Sequence, residues 1–289
     1  MKKKSIPAII CIALIIAIIA TVVVVKVIKD NRIQDYSDDT FSYLLDGDTY
    51  RVSLNDKTLT TVEIPTKDPK HGLPITGLVG FRDSALTEVV IPEGITTLES
   101  NTFNGCKNLT KITFPSTLTT IKSYAFKNCT SLDNVILPEG LTGIAQNLFE
   151  GCTSLTNIVL PEGLTAIETS AFKDCSKLST IIIPSGVTSI VPNTFSGCEN
   201  LRYLTLPDTI TTLTGYAFLN CTGLYNITIP ASVTDIYDDT FMGCTDLHFI
   251  NFEGTIAQWE AFRLSYNWKT DCKTQVTSII CSDGILDLG

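Results

Sequence analysis

Leu137-Pro138-Glu139-Gly140-Leu141-Thr142-Gly143-Ile144-Ala145-Gln146-Asn147-Leu148-Phe149-Glu150-Gly151-Cys152-Thr153-Ser154-Leu155-Thr156-Asn157-Ile158-Val159 is one period of a pattern that fills most of the chain. Proline recurs every 23 residues from Pro92 to Pro230, at 115, 138, 161, 184 and 207. Phenylalanine keeps the same step from Phe103 to Phe241, cysteine from Cys106 to Cys244, leucine from Leu109 to Leu247 and threonine from Thr96 to Thr234. Five residue types in register over seven units define a stacked architecture rather than a chance composition. The ending Leu155-x-x-Ile158-x-Leu160 reads as a short strand whose alternate side chains point inward. Proline closes the strand because it cannot donate to a ladder. One such coil cannot bury its own apolar side, so stacked coils must build a continuous core of Phe, Cys, Leu and Ile ladders. Together with one irregular opening unit the pattern predicts about eight coils, spanning on the order of 40 Å at strand spacing.

Both flanks depart from the period. Thr40 to Leu54 alternates around Asp46-Gly47-Asp48, a hairpin signature. Gly72-Leu73-Pro74-Ile75-Thr76-Gly77-Leu78 reads as an irregular opening repeat, with 27 residues from Pro65 to Pro92 and Ser84 in the cysteine position. Leu73 to Gly77 also spells a cell-wall sorting signal, but 212 residues follow it and no apolar tail does, so the opening-repeat reading is preferred. Beyond the last repeat, Thr255 and Gln258 form a capping box that opens a short helix, and Ile256, Trp259 and Phe262 are expected to cover the last coil's core.

These features resemble the BspA-like leucine-rich repeat proteins, over residues 40 to 289. The resemblance implies a leucine-rich repeat solenoid with terminal caps. It also implies a surface-exposed protein of a bacterium or microbial eukaryote, since members of that family are mostly adhesins or binding proteins. The expected organisation is a cap hairpin and degenerate first repeat over 40–91, seven repeats over 92–252 and a C-terminal cap over 253–289, with a linker at 30–39.

The N-terminus adds a location. Ile6 to Val25 is 20 residues without a charge, long enough at 1.5 Å per residue to cross a hydrocarbon core of roughly 30 Å. The apolar stretch is longer than that of a secretory signal, and Ala17-Ile18-Ile19-Ala20 lacks small-x-small cleavage spacing. We read residues 6–29 as one uncleaved transmembrane anchor after a five-residue cytoplasmic leader. The protein is then single-pass in the cell membrane with its repeats outside. Cys11 is read as an apolar-compatible residue of that helix.

The chain holds 21 bases and 30 acids. Five of the bases (Lys2, Lys3, Lys4, Lys26 and Lys29) lie up to residue 29, where there is no acid, so Asp30–Gly289 carries 16 − 30 = −14. Such a body excludes nucleic acid as a partner and does not lie flat on anionic lipid. Chemistry is sparse as well. The cysteines contain no Cys-x-x-Cys pair, so no metal site is expected, and stacked side chains point in parallel, which is poor disulfide geometry. The ladder cysteines are expected to be buried thiols. Cys272 and Cys281, nine residues apart in the cap, are a candidate disulfide in an oxidising exterior. The two histidines, His71 in a polar loop and His248 on an outward strand position, do not form a catalytic constellation. No catalytic residue and no cofactor is expected. Four Asn-x-Thr triplets, at Asn108, Asn128, Asn220 and Asn226, are glycosylation sequons that matter only in a eukaryotic host.

The outward strand positions, one, two and four after each leucine, carry the functional signal. They hold Ile136, Val159 and Ile182 in three successive coils, then Arg202 with Tyr203, Tyr225 with Asn226, and His248 with Phe249. Tyrosine, arginine and exposed aromatics mark interfaces, and an exposed apolar stripe invites a partner. Cross-strand aromatic packing that merely stabilises the sheet is the alternative. The expected function is adhesion through this face to a protein or glycan of host matrix, host cell or another microbe. A scaffold for another cell-envelope protein is the second reading and an enzyme the least expected.

Overall fold

Phe126, Cys129 and Leu132 stand three apart because each closes a turn onto the last: the Cys129 N–H donates to the Phe126 carbonyl at 3.2 Å and the Leu132 N–H to the Cys129 carbonyl at 3.1 Å. The three side chains therefore share the inner side, where all are buried. A computed structural model describes residues 34–237, 239–262, 264 and 272–289. Across them this unit recurs as the coil of a leucine-rich repeat β-solenoid of about nine turns. The expected cytoplasmic leader, the expected transmembrane helix at Ile6–Val25 and Cys11 lie outside the described residues. Among the described residues no helix is long and apolar enough to cross a membrane.

Two parallel ladders run along the solenoid. The main one stacks the Leu-x-x-Ile ends in a 23-residue register, for example Asn157 on Asn134 and Asn226 on Tyr203. The second stacks the two-residue strands after each threonine, such as Thr212–Leu213 on Ser189–Ile190. Between them lies the core. Its Phe ladder from Phe103 to Phe241 is stacked nearly face-parallel, with ring centroids 5.4–5.8 Å apart. Each ladder thiol from Cys129 to Cys244 donates to the phenylalanine carbonyl 26 residues earlier, as Cys152 Sγ does to Phe126 at 3.1 Å, and Cys106 Sγ donates to Phe81, 25 residues earlier.

One corner requires backbone that most residues avoid. Gly105, Asn128, Gly151, Asp174, Gly197, Asn220 and Gly243 all have φ between 56° and 76°. Asn and Asp tolerate that region better than other side chains, but two cannot follow each other here. A Cβ at Gly151 would overlap Oδ1 of Asn128 on the preceding coil, and Gly197 and Gly243 meet Asp174 and Asn220 in the same way. The strict alternation of glycine with Asn or Asp is thus a packing rule between neighbouring coils.

Both caps follow the expected chemistry. Strands β1 (Tyr36–Ser37), β2 (Phe41–Asp46) and β3 (Thr49–Leu54) are antiparallel, with Gly47 at φ 64° in the turn between β2 and β3. Strand β4 (Ile75–Val79) joins β3 in parallel and begins the second ladder, which absorbs the Leu73–Gly77 motif into the opening repeat. At the other end α1 (Ile256–Glu260) starts with the Thr255–Gln258 capping box, and Trp259 and Phe262 each pack 5.4–5.5 Å from their ring neighbours over Phe252.

The C-terminal segment differs from expectation. It is not only a cap, because Cys272 to Cys281 forms a further coil. The Gly243 N–H donates to the Cys272 carbonyl at 2.8 Å, and Ile279 pairs with Ile250 in the main ladder. This coil is why about nine turns form rather than eight. It also separates the two cap cysteines. Cys272 lies at the level of the Phe-x-x-Cys turn, whereas Cys281 ends the strand opposite Gly284, at the far end of the coil segment. No disulfide joins Cys281 to Cys272.

Candidate functional site

The main strands alternate exposed, buried, exposed at Lys111–Thr113, Asn134–Ile136, Asn157–Val159 and Tyr203–Thr205. Every outward side chain thus joins a column at one-coil spacing. Ile136, Val159 and Ile182 form the aliphatic column, 72%, 46% and 82% exposed. The residues expected in the C-terminal coils also come together. Tyr203, Asn226 and Phe249 are in register, and Arg202, Tyr225 and His248 are linked by backbone bonds from the Tyr225 and His248 N–H groups.

Tyr225 is the hub of this patch. Its ring is 6.2 Å from Tyr203 and 5.3 Å from Phe249, both edge-on, and 5.0 Å from His248. The Arg202 guanidinium lies over Tyr225 at 5.1 Å and over Tyr203 at 5.8 Å, and its Nε donates to the Tyr203 hydroxyl at 3.3 Å. That hydrogen bond raises the arginine pKa further. Asn251 Nδ2 donates to Asn226 Oδ1 at 3.2 Å and fixes the amide pair beside the rings. Tyr225 is half-buried by its neighbours while Tyr203 and Phe249 stay exposed, so cross-strand packing and an open face coexist. A cation held over aromatic rings with amides at its flank can engage a carboxylate or a polar group against an apolar surface.

Several residues of this face are not evident from the columns of Tyr203 and Ile136 alone. Val90 is 65% exposed, one coil before Thr113 in the aliphatic column. Its place four after Leu86 could have revealed it. The main ladder is also interrupted. Among the described residues no strand pairing joins Lys111–Thr113 to Asn134–Ile136, nor Thr180 to Tyr203. A groove of about 890 Å³ opens at the first interruption, lined by residues that include Lys111, Phe114, Asn134, Ile136 and Lys177. A smaller one of about 340 Å³ opens at the second, lined by Val159, Ile182, Pro184, Pro207 and Glu162 among others.

The ladder thiols and the His71–Asp68 pair lie away from this face. Burial pushes the ladder thiols up, Cys152 to about 12. His71 is held by Asp68 (3.2 Å) and lies near the Tyr50 hydroxyl (3.4 Å) in the N-terminal cap, not on the sheet face. Burial raises the Asp68 pKa, but the His71 N–H, the Tyr36 hydroxyl and the Leu73 N–H outweigh it and hold the carboxylate below its usual range. Among the described residues no cluster of His, Cys, Asp and Glu could hold a metal ion.

The stacked 23-residue coils and their strand face define a leucine-rich repeat protein. More closely, the BspA type Leucine rich repeat region matches in six copies over residues 77–198 and 165–279, and the chain belongs to that family. Two solved structures share its fold. A leucine-rich repeat protein from Bacteroides ovatus is 24% identical with a TM-score of 0.68, covering 86% of this chain and 71% of that one. The leucine-rich repeat protein of T. pallidum is 26% identical with a TM-score of 0.58, covering 74% of this chain and 91% of its own. Comparison with curated proteins gives no match.

Proposed function

We propose that this is a non-catalytic, membrane-anchored binding protein that acts as an adhesin at the cell surface through the outward face of its main ladder. The observation that carries this reading is the patch of Arg202, Tyr203, Tyr225, Asn226, His248 and Phe249. Exposed rings and a guanidinium converge there on one side of a rigid stack. Aromatic and arginine anchors are the residue types that dominate binding energy, and rigid strands hold them without the ordering cost of a loop. The uncharged run Ile6–Val25 supplies retention, and the few residues between it and β1 keep the solenoid close to the membrane. The ligand in this reading is a protein or a glycan on host matrix, a host cell or another microbe.

Photo-cross-linking on intact cells tests it, with the reactive group placed at Thr205 beside the patch. An adhesin captures molecules of the foreign surface only when that surface is supplied. Capture of a protein from the cell's own envelope, with or without the foreign surface, replaces adhesion with a scaffolding role.

A further inference from the structure

The seven repeats present three outward positions each, twenty-one in all, and Asp133 is the sole acid among them. Lys111 and Arg202 are the bases, in a body whose net charge is −14 by the count above. Asp133 is already engaged, accepting from Thr156 Oγ1 at 2.5 Å. Lys177 adds a third cation at the wall of the larger groove. Among the described residues none of Lys111, Lys177 and Arg202 takes part in an ion pair with an acid, whereas Lys122, Lys127 and Lys173 elsewhere on the solenoid each do. The outward strand positions of the repeats are therefore poorer in acid than the molecule as a whole, and Glu88 in register with Lys111, Glu162 at the wall of the smaller groove and Asp246, 3.7 Å from His248, are the acids at the margin of the face.

Its middle is apolar. Ile136, Val159 and Ile182 form a ridge bounded on both sides by the two ladder interruptions and their grooves. The ridge spans the coils at which the column changes from threonine to aliphatic and back, between Thr113 and Thr205. A sugar laid across three branched aliphatic side chains would leave hydroxyls without partners, which costs free energy. Apolar side chains of a polypeptide gain free energy in proportion to the area they bury there.

We propose that the face takes a polypeptide partner whose aliphatic or aromatic residues cover the Ile136–Val159–Ile182 ridge while its carboxylates meet Lys111, Lys177 and Arg202. This rests on the proposed binding face and narrows its ligand to an acidic, apolar protein segment. It also extends the site from the aromatic patch across the larger groove to Lys111.

The test pans a random-peptide phage library against the full chain in detergent, beside an array of neutral and uronate-bearing or sialylated glycans. Enriched peptides should place Asp or Glu within a few residues of Leu, Ile or Phe. Their affinity should fall as ionic strength rises. It should drop about ten-fold or more with Ile182→Asp and with Lys111→Glu/Lys177→Glu, but not with Lys122→Glu on the second ladder. Exchanging the peptide's acids for lysine should restore binding to Lys111→Glu/Lys177→Glu. All of these positions are exposed, and unchanged melting of each variant verifies folding. Neutral or basic peptides that bind the Tyr203–Phe249 patch would sink this inference and leave the binding face standing. Capture of acidic glycans without peptides would overturn it in favour of a carbohydrate ligand. Absence of both would remove the binding face as well.

Discussion

Gly151→Ala is a demanding test of the coil-to-coil packing rule. Gly151 has φ 75°, and an L-residue held in left-handed backbone costs roughly 1–2 kcal/mol. The new Cβ would also overlap Asn128 Oδ1 and lie 3.4 Å from its Cγ. Asn128 is exposed, so its amide can rotate away. Forcing it off its rotamer costs about 0.5–1.5 kcal/mol. The sum is a loss of about 1.5–3.5 kcal/mol, of which only the second part depends on Asn128. Urea denaturation followed by circular dichroism should show that loss for Gly151→Ala. In an Asn128→Gly background the loss should shrink by about 0.5–1.5 kcal/mol. Equal losses in both backgrounds would refute the idea that the Asn and Gly columns alternate because of this contact. A neutral Gly151→Ala would refute the backbone argument too.

Other consequences concern the core and the cap. Phe172 is fully buried between Phe149 and Phe195 at 5.8 and 5.7 Å, so Phe172→Ala should cost about 3–5 kcal/mol in the same denaturation assay. The thiols from Cys106 to Cys244 are buried and raised in pKa. Ellman's reagent at pH 8 should label them only as fast as the protein unfolds, and rapid labelling of native protein would contradict their burial. Asp68 has a depressed pKa in the folded cap. Its stabilising contribution is therefore fully present above the unfolded value of about 3.9 and lost as pH falls through the lower folded value. Acid titration of cap stability, read by tyrosine fluorescence, should show that loss below about pH 4, and Asp68→Asn should flatten the curve.

The repeat was legible because its period is carried by buried residues. Phe172, Cys175 and Leu178 must face inward in every coil, so their spacing writes the fold directly into the sequence. The caps were legible for a local reason, since Gly47 and the Thr255–Gln258 pair satisfy turn and capping geometry by themselves. The ninth coil was not, because Cys272 to Cys281 completes the ladder with backbone bonds to Gly243 and Ile250 and carries none of the Pro, Phe or Leu marks. The outward columns followed from strand alternation, which placed Tyr203, Asn226 and Phe249 together. Alternation says nothing of lateral reach, so the role of Tyr225, spanning from Tyr203 to Phe249, needed coordinates. The ladder interruptions beside Thr113 and Ile182 lie in backbone pairing, which side-chain identity does not encode. Lys177 and Phe114 therefore entered the site only with the grooves.

The central claim is that the main-ladder face does the binding. Its most direct test compares the full chain with a Tyr203→Ala/Tyr225→Ala/Phe249→Ala variant for binding to matrix proteins, mucins and intact cells. Lys122→Ala on the second ladder serves as a folded control. The claim predicts that the triple variant keeps its fold and loses binding while the control keeps both. Undiminished binding by the triple variant, or an equal loss in the control, would contradict it.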